Sequence, residues 1–342
     1  MPSLRLLGWG ANNYGQLANG QPCEQLERPI PIQAPVDDQS VISLGGGHTF
    51  LVTGQNEIFA SGWNNKGQCG VGSKANLSAF TPIAEIKAVQ IATGWDFSLV
   101  VSPEKRLYGC GSNAFGQLGL GGFKEVLEFE KIDLSDDGNG EGKVKKAVAG
   151  MRHSLILMED GTIRVCGSGK KGQLCESGLK SVTTPMKVSL QQRVVDIKAG
   201  QNFSLLTFED GSLQAFGDDK HGQISNLSRI PNTHIKQIEV GWTHIVTLLK
   251  NDTLMAVGRQ DYGQTGVLCG DQKFSSVSCG YEHGLATSVE GDLFAWGWNE
   301  HGNCGLGHVD NVHQPTKVDL DNRKIYRCFA GSGHSFAIVT IS

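Results

Sequence analysis

GMRHSLILMEDGTIRVCGSGKKGQL, residues 150–174, contains the unit from which the whole chain is built. It opens with Gly150, two variable residues and His153, runs through an apolar segment, turns at Asp160-Gly161 and enters a second apolar segment. Asp-Gly between two short apolar runs predicts a β-hairpin. The unit then passes into a loop bounded by glycines, Gly-x-x-x-x-Gly-Gln.

The first phrase recurs seven times: GGGHTF from Gly45, GWDFSLV from Gly94, GMRHSLIL from Gly150, GQNFSLL from Gly200, GWTHIVTL from Gly241, GYEHGLA from Gly280 and GSGHSFAIV from Gly331. The second phrase also recurs seven times. Its second glycine falls at Gly15, Gly67, Gly116, Gly172, Gly222, Gly263 and Gly302, so successive copies are 52, 49, 56, 50, 41 and 39 residues apart. Self-similarity at such a period signals a solenoid, propeller or array. After the Gly-Gln loop comes a connection that often holds proline (Pro82, Pro185, Pro315), then further strand-like runs such as IKAVQIAT before Gly94 and VVDIKA before Gly200. About four strands are expected per period.

The chain begins inside a second phrase and finishes inside a first one. The N-terminal LRLLGWG run and the C-terminal HSFAIVTIS run therefore each lack a hairpin partner. Pairing them closes a ring, whereas an open solenoid leaves two raw edges. The expected fold is all-β: a single domain over residues 1–342, a seven-bladed propeller closed by its N- and C-terminal strands.

Composition agrees with a chain full of tight turns. Forty-six glycines in 342 residues is about twice the usual ~7%, with no collagen period. A formal charge of −4 and a pI near 6.2 argue against a polyanion-binding surface, so no direct nucleic-acid contact is expected. MPSLRLLGWG lacks a signal peptide's apolar core, and no run approaches the ~18 to 20 apolar residues that span a bilayer. A soluble protein of the cytoplasm, and also of the nucleus, is expected, without a membrane partner. The nine cysteines include no C-x-x-C pair, which points to buried reduced thiols and no metal or cofactor. The sequons at Asn76, Asn202, Asn226 and Asn251 are then unused. The two short intervals trim outer loops around 226–232 and 268–273. The longest carries a polar stretch, 128–146, whose Asp136, Asp137, Asn139 and Glu141 do not match a calcium loop and read as solvated.

The paired phrases, GxxHS with its apolar strand and WGxNxxGQLG, resemble the repeats of the regulator of chromosome condensation family, which are seven-bladed propellers. The likeness runs from Leu4 to about Ile341. GWDF (94–97), CGSNAFGQLG (110–119), GWTH (241–244), GRQDYGQ (258–264) and WGWNEHGNCG (296–305) resemble its secretion-regulating guanine nucleotide exchange factor branch. That branch is similar to the fungal killer-toxin-insensitivity or alpha-tubulin-suppressor propeller. The resemblance implies a protein partner: a small zinc protein of diphthamide synthesis and Elongator-dependent tRNA wobble-uridine modification, or a small GTPase or exocyst subunit. A monomer or one half of a heterodimer is expected. Exchange residues in this family are acidic and histidine side chains at the variable positions, where this chain has only Asp96 and Glu282 as acids and no histidine.

Function is expected in the two variable positions, because the rest of each phrase is frame. They hold Gly46 and Gly47, Trp95 and Asp96, Met151 and Arg152, Gln201 and Asn202, Trp242 and Thr243, Tyr281 and Glu282, and Ser332 and Gly333. Trp, Tyr and Arg dominate interface hot spots. The competing reading packs the tryptophans between blades. Trp63, Trp298, Asn299, Glu300 and His301 are candidates for a rim, Trp9 and Trp296 for the core. Glycine and serine at the closure seam suggest an open side. His48, His153, His244, His283 and His334 read as structural, since Phe97 and Phe203 replace them in two copies. The Gly-Gln loops read as turn hardware, GSGKKGQ lacks the phosphate-loop spacing, and no nucleophile set stands out. The leading expectation is a non-enzymatic protein clamp; the alternative is a nucleotide exchange factor for a small GTPase, linked to secretion.

Overall fold

A computed structural model describes residues 3–135, 142–266 and 272–341. The predicted hairpins form seven antiparallel sheets arranged as the blades of a propeller. Blade one comprises Val41–Leu44, His48–Val52, Ile58–Gly62 and Leu77–Ile83, from the centre outward. Blade seven is composite. Ile325–Ala330 and His334–Ile341 come from the C-terminal end, Ser3–Asn12 and Cys23–Ile32 from the N-terminal end. Ser3–Asn12 pairs with His334–Ile341 from Ser3 opposite Ile341 to Gly10 opposite His334, closing the ring as expected.

Among the described residues, two blades hold three strands and not the four expected per period. Blade four has Val194–Ala199, Phe203–Phe208 and Leu213–Gly217, and blade five has Ile235–Val240, His244–Leu249 and Leu254–Gly258. After Gly217 the chain forms two 3-10 turns, Leu227–Arg229 and Asn232–His234. Leu227 and Ile230 sink into the apolar layer between these blades, so the segment is spent on packing and not on a fourth strand. The tip of the blade-five connection, 267–271, lies outside the described residues, as do Asp136, Asp137, Asn139 and Glu141.

Blades hold one another through apolar sandwiches. Leu155, Ile163 and Val165 of blade three, for example, pack with Val194, Ile197 and Leu206 of blade four, each side chain contributing about 1.5–3 kcal/mol on burial. Trp9 and Trp296 are in the core, as expected. The histidines form a polar latch between blades. His48 Nε2 lies 2.9 Å from Ser98 Oγ, His153 Nε2 3.1 Å from Ser204 Oγ, and His283 Nε2 2.9 Å from Ser335 Oγ. His334 Nε2 meets Thr49 Oγ1 at 2.9 Å across the seam. Each hydroxyl donates its single proton to a Gly-Gln-loop carbonyl, Ser98 to Gln68 O at 2.8 Å and Ser204 to Gln173 O at 2.7 Å, so the imidazole Nε2–H must be the donor in the latch. Where Gly284 replaces the hydroxyl residue, the Trp296 indole fills the space and donates to Gln264 O instead. His244 is left there with no partner for either ring nitrogen among the described residues.

Candidate functional site

The frame fixes the second variable residue in all seven copies and the first in five of them. The carbonyl of the second one accepts the N–H of the residue after the glycine ending the hairpin: Asp96 from Ser112 at 2.8 Å, Arg152 from Ser168 at 2.8 Å, Glu282 from Trp298 at 2.8 Å. The N–H of the first reaches the next blade: Gln201 to Trp242 O at 3.0 Å, Trp242 to Tyr281 O at 2.8 Å. The side chains are therefore displayed on backbone that is tied from blade to blade around most of the centre. Within the adjoining loops the glutamines act as the expected turn hardware. Gln117 Oε1 accepts Phe115 N–H at 2.9 Å, and Gln173 Oε1 accepts Lys171 N–H at 2.9 Å.

Three ring aromatics from blades two, five and six meet at the centre. The Trp242 and Tyr281 rings stack with centroids 3.9 Å apart, and Trp95 lies 5.1 Å from Trp242 and 6.1 Å from Tyr281. Tyr281 donates its hydroxyl to Gly94 O at 3.3 Å, from across the ring, and burial raises its pKa. The tryptophans thus pack on one another over the axis and not between blades, and they remain half-buried. Trp63 extends the surface, 6.3 Å from Trp95, and stacks on Tyr14 at 5.4 Å.

Above this stack opens a bowl of about 740 Å³. Trp95, Trp242 and Tyr281 form its floor, with Trp298, Glu300 and His301 on its rim. Gln201, Asn202, Thr243 and Glu282 also line it, while Asp96, Met151, Arg152, Trp63 and Asn299 do not. On the opposite side a channel of about 360 Å³, lined by Lys146, Lys198 and Glu239, ends against the same Trp242 and Tyr281. The stack is a plug that separates the two faces.

Several expected residues are engaged in the frame. Asn299 is fully buried, its carboxamide tied to Cys304 N, His308 O and Asp310 O. Glu282 accepts Thr243 Oγ1 at 2.9 Å and Gln264 Nε2 at 2.7 Å, and lies 3.6 Å from the Arg259 guanidinium. Burial raises the Asp96 carboxyl, while Ser112, Arg152 and Lys66 pull it down. The Arg152 guanidinium rests 4.5 Å over the Phe115 ring. Among the described residues no cluster of three or more His, Cys, Asp or Glu could hold a metal ion.

At the seam Gly46, Ser332 and Gly333 also line the bowl, but Gly46 leaves no room for a side chain. A Cβ on Gly46 would strike Trp95 O at 2.4 Å and its ring at 2.7 Å, and one on Gly333 would meet His301 and Trp298. Those positions are small because neighbouring aromatics lean over them. The residues just before the second glycine of the second phrase form a further ring: His301, expected at the rim, is joined there by Tyr14, Lys171, His221 and Tyr262, which all line the bowl.

The RCC1-like domain family matches residues 5–337. The mouse secretion-regulating guanine nucleotide exchange factor is 30% identical over 97% of this chain and 83% of its own length. The ultraviolet-B receptor UVR8 of Arabidopsis thaliana is 29% identical over 91% of this chain and 77% of its own. Among solved structures, Prp20p of Saccharomyces cerevisiae superposes with a TM-score of 0.87 at 21% identity, over 100% of this chain and 92% of that one. Human WBSCR16 gives 0.85 at 19% identity, over 99% of both chains.

Proposed function

This chain belongs to the RCC1-like domain family, and from that premise we propose that it is a non-enzymatic propeller that clamps a partner protein on its Gly-x-x-His face. We take residues 1–342 as one domain for this purpose. The observation that carries the proposal is the aromatic floor: Trp95, Trp242 and Tyr281, half-buried and packed together at the bottom of a bowl. Rigid aromatic surface surrounded by a polar rim is the anatomy of an interface hot spot. The rim mixes Lys171, Lys220 and Arg259 with Asp218 and Glu300, which suits orientation of a partner of mixed charge. The partner we place there is a small zinc protein of the diphthamide and Elongator pathways, met in the cytoplasm or nucleus. Affinity purification of the tagged chain with mass spectrometry tests this: recovery of such a protein supports it, and recovery of only a small GTPase or exocyst subunits transfers the clamp to secretion.

The second reading is nucleotide exchange, favoured by the name of the mouse relative. Its acidic candidates are Asp96 and Glu282. Because Glu282 is already held by Thr243, Gln264 and Arg259, we expect no acceleration of fluorescent GDP-analogue release from a panel of small GTPases at micromolar chain. Acceleration that Asp96→Asn or Glu282→Gln removes would establish exchange in place of simple clamping.

A further inference from the structure

Blade four ends in an edge strand, Leu213–Gly217, with no fourth strand beside it among the described residues. The corresponding third strands of four-stranded blades are almost wholly buried, as in Ile163–Ser168, whereas no residue of Leu213–Gly217 is fully buried. In those blades the first residue of the third strand gives its carbonyl outward: Leu107 O accepts Ile132 N–H at 2.9 Å and Leu293 O accepts Val318 N–H at 2.9 Å. Strand alternation then points the N–H and C=O of Leu213, Ala215 and Gly217 into the space outside blade four.

That space is shaped as a strand slot. In five blades the glycine of the preceding Gly-Gln loop lies against the backbone of the fourth strand. A Cβ on Gly67 would meet Leu127 Cα at 2.7 Å, one on Gly116 Val182 O at 2.8 Å, and one on Gly263 His313 Cα at 2.5 Å. At Gly172 the nearest atom is Gly217 Cα, 3.9 Å away. Four residues after the Gln or Asn of those loops, a backbone N–H donates to the fourth strand: Gly72 to Leu127 O at 3.0 Å, Gly121 to Thr183 O at 2.8 Å, Gly307 to Glu27 O at 2.8 Å. Ser177 holds the matching place in the blade-three loop and makes no such bond among the described residues. Gly172 and Ser177 both line an open cleft of about 610 Å³ whose charged wall residues are Lys170, Lys171 and Lys180.

We propose that this slot binds an acidic, extended segment of a partner protein, added antiparallel to Leu213–Gly217 as the fourth strand of blade four. Strand addition to an exposed edge draws affinity from main-chain hydrogen bonds and selectivity from alternate side chains. The register is set by the other blades, where the fourth strand places an apolar residue opposite the hairpin-ending glycine: Leu77 opposite Gly62, Val126 opposite Gly111, Val182 opposite Gly167, Val312 opposite Gly297. The segment therefore carries an apolar residue opposite Gly217, and acidic residues towards the lysine wall. Its source is another protein. The chain's own 218–234 is anchored by buried Leu227 and Ile230, and a second copy would set the same lysines against each other. The slot shares only Lys171 with the aromatic bowl, and Lys170 and Lys180 belong to the slot without lining the bowl, so a test on those two separates the sites.

The probe is a peptide of the 181–187 sequence SVTTPMK with its lysine changed to glutamate and two glutamates added at the N-terminus. Amide exchange of the full chain is followed with and without it. The amides of Leu213, Ala215 and Gly217 are expected to slow by about tenfold or more. Ala215→Pro, which removes an outward N–H at an edge where proline is tolerated, is expected to abolish this. Lys170→Glu with Lys180→Glu, both exposed, is expected to weaken binding about tenfold with the fold unchanged. Unchanged exchange at saturating peptide overturns the proposal, as does equal binding of a peptide with lysines for its glutamates. So does protection that grows with chain concentration alone, which would reveal self-pairing.

Discussion

Lowering the pH from 6.5 towards 4 is expected to unfold this propeller, and the buried histidines are the cause. Burial lowers the pKa of His48, His283 and His334 to about 3, and of His153 and His244 to about 4. The unfolded chain titrates near 6.5. Above that pH both states are neutral and stability is fully present. Below it the unfolded state binds protons that the folded state refuses, so stability falls until the folded pKa is passed. Each such histidine contributes a slope of about 1.4 kcal/mol per pH unit. Against a total of about 5–15 kcal/mol, the five together should bring acid unfolding within one or two pH units below 6.5. Circular dichroism against pH measures this. His153→Phe, which copies the natural pairing of Phe97 with a serine on the next blade, should flatten the slope by one histidine's share. An acid midpoint that His153→Phe does not move would refute the assignment.

Gly150→Ala is expected to destabilise the fold by about 3 kcal/mol, at the upper end of overpacking costs. The Cβ would lie 2.2 Å from Cε1 of His153, the ring that folds back over its own phrase, and 2.6 Å from Gly200 O of the next blade. Neither can yield easily, because the ring is latched to Ser204 and Gly200 adjoins Gln201, whose backbone is bonded to both neighbouring blades through Met151 N and Trp242 O. Phe97 and Phe203 sit over Gly94 and Gly200 in the same manner. Gly122→Ala, with nothing within 4 Å of its Cβ, should change stability by less than about 0.5 kcal/mol. Thermal melting of the two variants decides it: equal melting temperatures would show that the glycine is not required by the ring above it.

Much of the frame was legible because it is local and repeated. Asp160-Gly161 marks a hairpin wherever it occurs, and two unpaired terminal strands admit few partners, so closure could be read from seven registered copies. The histidines could be read as structural because phenylalanine substitutes for them. What the sequence hid depends on neighbours from another blade. Residues 218–234 look like a shortened connection, and only packing decides that Leu227 and Ile230 turn inward in place of a fourth strand. Gly46 looks like a free position, yet Trp95 of the next blade leaves no room there for a Cβ. Asn299 looks like a rim residue, yet its amide knits its own loop. The second ring, with Tyr14 and Tyr262, is marked in the sequence by its fixed place just before the second glycine of the phrase.

The central claim is that the Trp95, Trp242 and Tyr281 floor seats the partner. It is tested most directly by calorimetric titration of the protein recovered with the tagged chain against the wild type and Trp242→Ala, with melting curves to verify the fold. A hot spot predicts a loss of about 2 kcal/mol or more, roughly thirtyfold in Kd. Wild-type affinity in a folded Trp242→Ala variant would contradict the account.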